Sequence, residues 1–320
     1  MLRVIAAIAV IAIHMTNHWN LSSIIIDNLA RFGIPVFVII SGYCILPKAD
    51  SFKYVIKKSL RLFLIMLVWS LVYFVYYLKT DAIVFSGLKA LIKYLLTEPI
   101  FFWYFYMAIC LYLISPALKV FQDNANKKLY LYALGICFIF GSLVTILVKA
   151  GISPTLNLIL EKTKFAYALG FPCMYLAGGY IKKFGIEKKH RIALYTSAIV
   201  LEILAIIVII CAFNNGNANI IDLMTSFCAP NHIVMGIAAF TAISYCSCAK
   251  CQSNGKAKKV ITYLASLTLG IFVVHPIIIN CFTRNDILSN CLFCQFVAVL
   301  IISIIIAAII NAIPGLKKII

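Results

Sequence analysis

Residues 192–213 read I-A-L-Y-T-S-A-I-V-L-E-I-L-A-I-I-V-I-I-C-A-F, an apolar run broken by one charge, Glu202, and preceded by Lys188, Lys189, His190 and Arg191. About 20 such residues carry an α-helix across ~30 Å of hydrocarbon. This stretch is read as a transmembrane helix. Nine further stretches of the same character surround it, at roughly 4–20, 29–46, 59–78, 100–118, 129–148, 165–181, 229–247, 260–280 and 293–313. Composition agrees: 64% of the residues are hydrophobic, 12% are charged, and the mean hydropathy is +1.04. A soluble domain carries about 25% charged residues, so an ordinary soluble enzyme is excluded. The prediction is an all-α integral membrane bundle of about ten transmembrane helices. The residues left over are too few for a separate globular domain, so 1–320 is read as a single membrane-embedded domain.

Lys and Arg outnumber Asp and Glu by 28 to 10, giving a net charge of +18. In a soluble protein that excess would suggest nucleic acid; in a membrane protein it first sets topology. With a cytoplasmic N-terminus, most of the basic residues fall on the cytoplasmic side, including Lys57, Lys58, Arg61, the 182–191 cluster, Lys317 and Lys318. That is the positive-inside bias, and it places both termini in the cytoplasm. No nucleic-acid partner is needed to explain the charge. Arg3 followed by Val4–Ile13 mimics the start of a signal peptide, but His14, Asn17, His18 and Trp19 stand where a small-residue cleavage site would lie. The first span is therefore read as a retained helix.

Ionisable residues inside spans are costly and mark cavities or pathways. Arg3 and His14 are eleven positions apart, about 20° past three helical turns and about 16 Å along the axis. They share one helix face, with Arg3 at the cytoplasmic headgroup level and His14 near mid-membrane. A topology anchor and a core histidine would show the same spacing. Further along, Arg31-Phe32-Gly33-Ile34-Pro35-Val36-Phe37 runs into Ser41-Gly42-Tyr43. The third span is entered through Lys57-Lys58-Ser59-Leu60-Arg61, the fourth contains Trp103-Tyr104-Phe105 and Leu111-Tyr112-Leu113-Ile114-Ser115-Pro116, and the ninth contains His275-Pro276.

This ordered set resembles the acyltransferase-3 family of ten-helix membrane acyltransferases, in its stand-alone form. Members open with R-x10-H, matched by Arg3 and His14. They continue with a P-x-F-F-x-x-S-G-Y/F helix, matched by Pro35, Phe37, Ser41, Gly42 and Tyr43, and an R-x-x-R entry to the third helix. Here that entry reads Lys58-Ser59-Leu60-Arg61, which keeps both charges but replaces one planar fork by a point charge. The resemblance implies a membrane-bound O-acyltransferase, an O-acetyltransferase, moving an acyl group from cytosolic acetyl-CoA or another acyl-CoA to a hydroxyl of a cell-surface or lipid-linked glycan. Acyl-CoA is then a donor substrate, with no bound cofactor or metal expected. The setting is the plasma or inner membrane among its lipids. The chain ends just after the tenth span, so transfer is completed alone or with a separate extracytoplasmic transferase partner.

On this resemblance His14 is the catalytic residue with Arg3, either as general base toward the acceptor hydroxyl or as an acyl carrier. Lys57, Lys58 and Arg61 are candidate donor-phosphate ligands. Ser41 and Tyr43 are candidate site-lining residues, although Ser-Gly in a helix also serves close packing. His18 is assigned to an acceptor-side polar rim, since no third ligand accompanies it and His14 for a metal. Glu202 pairs with a basic residue or faces the cavity, and His275 is either a structural or a catalytic histidine. Trp103 either stacks on a sugar or belongs to an aromatic belt. Cys246, Cys248 and Cys251 are read as reduced thiols. Cys281, Cys291 and Cys294 read either as one disulfide or as packing cysteines. The alternative function is a transporter or flippase of an anionic or lipid-linked substrate, which a basic rim and midplane histidines would also serve.

Overall fold

The computed structural model describes residues 1–16, 20–97, 100–150, 165–250 and 255–320, with single positions 155, 158 and 162. Among the described residues there are helices and turns and no strand. The all-α reading holds. Seven segments are long and apolar enough to cross a membrane: Leu21–Lys48, Phe52–Lys79, Trp103–Asn124, Lys127–Val148, Lys188–Asn214, Gly255–Arg284 and Leu292–Ala312. Each overlaps a predicted span, and the protein is a multi-pass membrane protein.

Several helix ends differ from the sequence reading, and two of them bear on the site. The first helix, α1 (Leu2–Met15), has 14 residues and ends at Thr16, whose backbone is extended. The predicted end at 20 is too late. Thr16 Oγ1 instead turns back onto the Ile13 carbonyl at 2.8 Å. The second segment starts eight residues before the predicted 29, as α2 (Leu21–Ala30), because Asn20 caps it by accepting the Ser23 N–H at 2.8 Å. After a turn at Arg31–Phe32 the chain continues as α3 (Gly33–Ile45). Pro35 sits in the first turn of α3, where helical N–H groups have no intrahelical partner, so it interrupts nothing.

The chain packs as two compact units. The first comprises Met1–Lys48 with Ala117–Ala265, and the second Ala49–Pro116 with Ser266–Ile320. In the first, α3 crosses α9 (Phe165–Phe184) backbone against backbone. A Cβ on Gly42 would lie 1.9 Å from the Tyr175 carbonyl oxygen, and one on Gly178 would lie 2.1 Å from that of Ile39. Only hydrogen fits at either position. Between α7 (Lys127–Phe138) and α8 (Val144–Lys149) a π-helical turn, Ile139–Leu143, brings Gly141 against Gly170 in the same manner. Lys183 donates to the carbonyls of Gln122, Asp123 and Ala125, satisfying the carboxyl end of α6 (Trp103–Asn124).

The first unit is completed by α10 (Lys188–Asn214), the short α11 (Ala218–Met224) and α12 (Pro230–Lys250). The second unit contains α4 (Phe52–Lys79), α5 (Leu88–Thr97), the later part of α13 (Gly255–Arg284) and α14 (Leu292–Ala312). Its core is aromatic, with Tyr73, Phe102, Phe105 and Phe272 in successive ring contacts. The Tyr73 hydroxyl donates to the Val273 carbonyl at 3.1 Å. Trp69 Nε1 donates to the Ile319 carbonyl at 2.8 Å, tying the last turn of the chain to α4.

Candidate functional site

The helix α1 runs unbroken from Leu2 to Met15, so Arg3 and His14 project from one face as their spacing predicts. Arg3 is exposed and His14 half-buried. Ala9 and Ile13 bury against Ala30 at the end of α2, with Phe32 and Phe227 packed around them. That packing brings His14 within electrostatic reach of Arg31 and Asp27.

Asp27 on α2 and Arg31, the residue that caps its carboxyl end, are one turn apart. Arg31 donates through Nε at 3.0 Å and Nη2 at 2.9 Å to Asp27 Oδ2. Asp27 is 1% exposed. The guanidinium carbon also lies 4.8 Å from the centre of the Phe227 ring, so the cation is held from two sides. Behind it lies a buried polar network built from three helices. Asn28 Nδ2 donates to Glu202 Oε1 at 2.6 Å, and Asn231 Nδ2 donates to Glu202 Oε2 at 3.1 Å. His232 places Nδ1 2.7 Å from the Ser226 carbonyl and Nε2 3.1 Å from Asn28 Oδ1. Buried polar groups persist only when partnered, and here the partnering fixes α2, α10 and α12 to one another.

The arrangement puts an imidazole and a fixed guanidinium within electrostatic reach of each other. One can take a proton, and the other can steady a developing negative charge. Among the described residues no three His, Cys, Asp or Glu side chains gather as a metal site.

The other sequence-predicted residues lie as follows. Glu202 is buried on α10, where it accepts hydrogen bonds from the carboxamides of Asn28 and Asn231. Ser41 is half-buried next to the Gly42 crossing. The Tyr43 ring packs 5.3 Å from Phe240 and beneath Lys182 Nζ at 4.9 Å. Lys57, Lys58 and Arg61 occupy the first turns of α4 in the second unit, on one helix face by their spacing. Lys58 Nζ lies 5.6 Å over Tyr54, and Arg61 Nη2 donates to the Ile320 carbonyl at 3.2 Å. His275, also in the second unit, is buried with Nδ1 3.0 Å from the Ile271 carbonyl of its own helix. Trp103 opens α6 with its ring 6.3 Å from that of Tyr104. His18 lies outside the described residues.

The sequence reading missed Asp27, Asn28, Arg31 and Asn231. The Asp27/Arg31 spacing of four was a signal, but starting the second span at 29 left Asp27 in a loop and made Arg31 a topology charge.

His14, the Asp27–Arg31 pair and the buried network around Glu202 thus lie among the first helices and the two that pack on them. The family model described as the acyltransferase domain, acyltransferase-3, matches residues 1–312, and the chain belongs to that family. It is a membrane acyltransferase. No curated protein and no solved structure matches the chain.

Proposed function

We propose that the protein is an O-acetyltransferase of the plasma or inner membrane, with ten membrane-crossing segments and cytoplasmic termini, that transfers acetyl from acetyl-CoA to a glycan hydroxyl. The observation that carries this reading is His14 within electrostatic reach of the Asp27-clamped Arg31. His14 takes the proton of the acceptor hydroxyl, the alkoxide attacks the thioester carbonyl, and the CoA thiolate leaves. Arg31 steadies the oxyanion of the tetrahedral intermediate. Asp27 keeps the guanidinium oriented, so its role is positioning.

The donor is drawn in by Lys57, Lys58 and Arg61, whose cations suit the phosphates of CoA. Arg3, on the face of His14, adds a cation at the other end of α1. Acetyl-CoA is consumed as substrate, and the acceptor is a cell-surface or lipid-linked saccharide. The test is to incubate membranes holding the protein with acetyl-labelled acetyl-CoA and to extract glycan and lipid-linked fractions. Label released as acetate by mild alkali supports an O-ester product. Alkali-stable label, or none with any acyl-CoA, refutes the assignment.

A further inference from the structure

The chain enters α14 through Cys291-Leu292-Phe293-Cys294. Cys291 is the N-cap, and its sulfur accepts the Cys294 N–H at 3.3 Å. Side chains at the N-cap and at the third helical position point toward each other, the relation that a capping box uses. Here they meet sulfur to sulfur, with the two Sγ atoms 2.6 Å apart. A covalent S–S bond is about 2.05 Å long, so closure needs a movement of about half an ångström. Cys294 is exposed, Cys291 is half-buried, and Phe293 between them is 75% exposed. A reagent approaching from outside the bundle reaches the pair. The sulfur of Cys294 and then its N–H hold the Cys291 thiol below the ordinary thiol range, which raises the fraction present as thiolate, the nucleophilic form.

We propose that Cys291 and Cys294 are a reversible dithiol–disulfide couple acting on disulfide-bearing oxidants, with Cys291 the attacking sulfur and Cys294 the resolving one. In the first step the Cys291 thiolate attacks one sulfur of the oxidant. The oxidant's S–S bond breaks, its other sulfur leaves and takes up the Cys291 proton, and a mixed disulfide remains on Cys291. In the second, Cys294 loses its proton and attacks Cys291 Sγ. The intramolecular bond forms, and the second oxidant sulfur departs with that proton. Two protein thiols are oxidised by two electrons, and one external disulfide is reduced to two thiols. The product pins the first turn of α14 across its cap. Cys281, the third cysteine of this region, is engaged instead with the Tyr76 hydroxyl at 3.3 Å and serves as an internal reference.

The experiment incubates the intact, purified wild-type protein with oxidised glutathione, alkylates the remaining thiols, and maps residues 291–294 and Cys281 by peptide mass spectrometry. The expected result is loss of both alkyl adducts at Cys291 and Cys294 with no glutathione retained there, restored by dithiothreitol, while Cys281 stays alkylated. Cys294→Ser then traps glutathione on Cys291, and Cys291→Ser accumulates several-fold less on Cys294. Persistent alkylation of both cysteines in the wild type, or stable glutathione on either, overturns the couple. Faster trapping on Cys294 than on Cys291 overturns the assigned order. The wild-type measurement stands even if a variant fails to fold, and none of these readouts depends on acyl transfer.

Discussion

Replacing Arg31 by glutamine removes the cation from a carboxylate that is 1% exposed. Both hydrogen bonds from the guanidinium, at 3.0 and 2.9 Å, end on the same Asp27 oxygen. Removing one partner of a buried pair costs about 3–5 kcal/mol, because the remaining charge stays buried and loses that compensation. At about 1.4 kcal/mol per factor of ten, the unfolding equilibrium should shift by roughly a hundredfold or more. Asp27→Asn should cost less, about 1–2 kcal/mol, since the Arg31 side chain is 17% exposed and retains the Phe227 ring. The double variant Asp27→Asn/Arg31→Gln leaves no isolated charge and should be less destabilised than the sum by at least about 1 kcal/mol. The assay is a denaturing-detergent titration in mixed micelles, with helix content followed by circular dichroism for all four proteins. Costs that add to within about 0.5 kcal/mol would refute the claim that the pair acts as one buried unit.

Three further outcomes follow from the geometry. Gly42→Ala would place a methyl 1.9 Å from the Tyr175 carbonyl oxygen and force α3 from α9, at about 1–3 kcal/mol in the same titration; Gly135→Ala, with nothing within 4 Å of its added Cβ, should be neutral or stabilising, and equal costs at both sites would contradict the packing argument. Glu202→Gln keeps the shape but turns one acceptor into a donor facing a carboxamide N–H, so stability should fall by about 1–3 kcal/mol; a wild-type midpoint would mean that the network does not tie the three helices. Arg61→Ala should raise the apparent KM for acyl-CoA several-fold with kcat largely kept, and an unchanged KM would remove Arg61 from donor binding.

Much of this architecture is legible in the sequence because hydrocarbon thickness imposes one length on apolar helices. The runs 192–213 and 59–78 lie inside the helices Lys188–Asn214 and Phe52–Lys79, and the run 293–313 lies within a residue of Leu292–Ala312. Helix ends were less legible where polar chemistry sets them: Asn20 starts a helix in what reads as a loop, and Thr16 ends one inside what reads as a span. The same displacement hid half of the site. Arg3 and His14 announce themselves by helical spacing alone, whereas Asp27 and Asn28 gain meaning only once α2 exists. Glu202 was visible as an embedded acid, but its partners Asn28 and Asn231 lie 174 and 29 positions away. No local pattern encodes that meeting.

The central claim is that His14 carries the chemistry. Its most direct test supplies acetyl-labelled acetyl-CoA to the cytoplasmic face of membrane vesicles containing wild type or His14→Ala, with membrane insertion verified for both, and counts label in glycan and lipid-linked fractions. The account predicts label with the wild type and background counts with His14→Ala. Equal label in both would leave an acyltransferase whose proton acceptor is not His14.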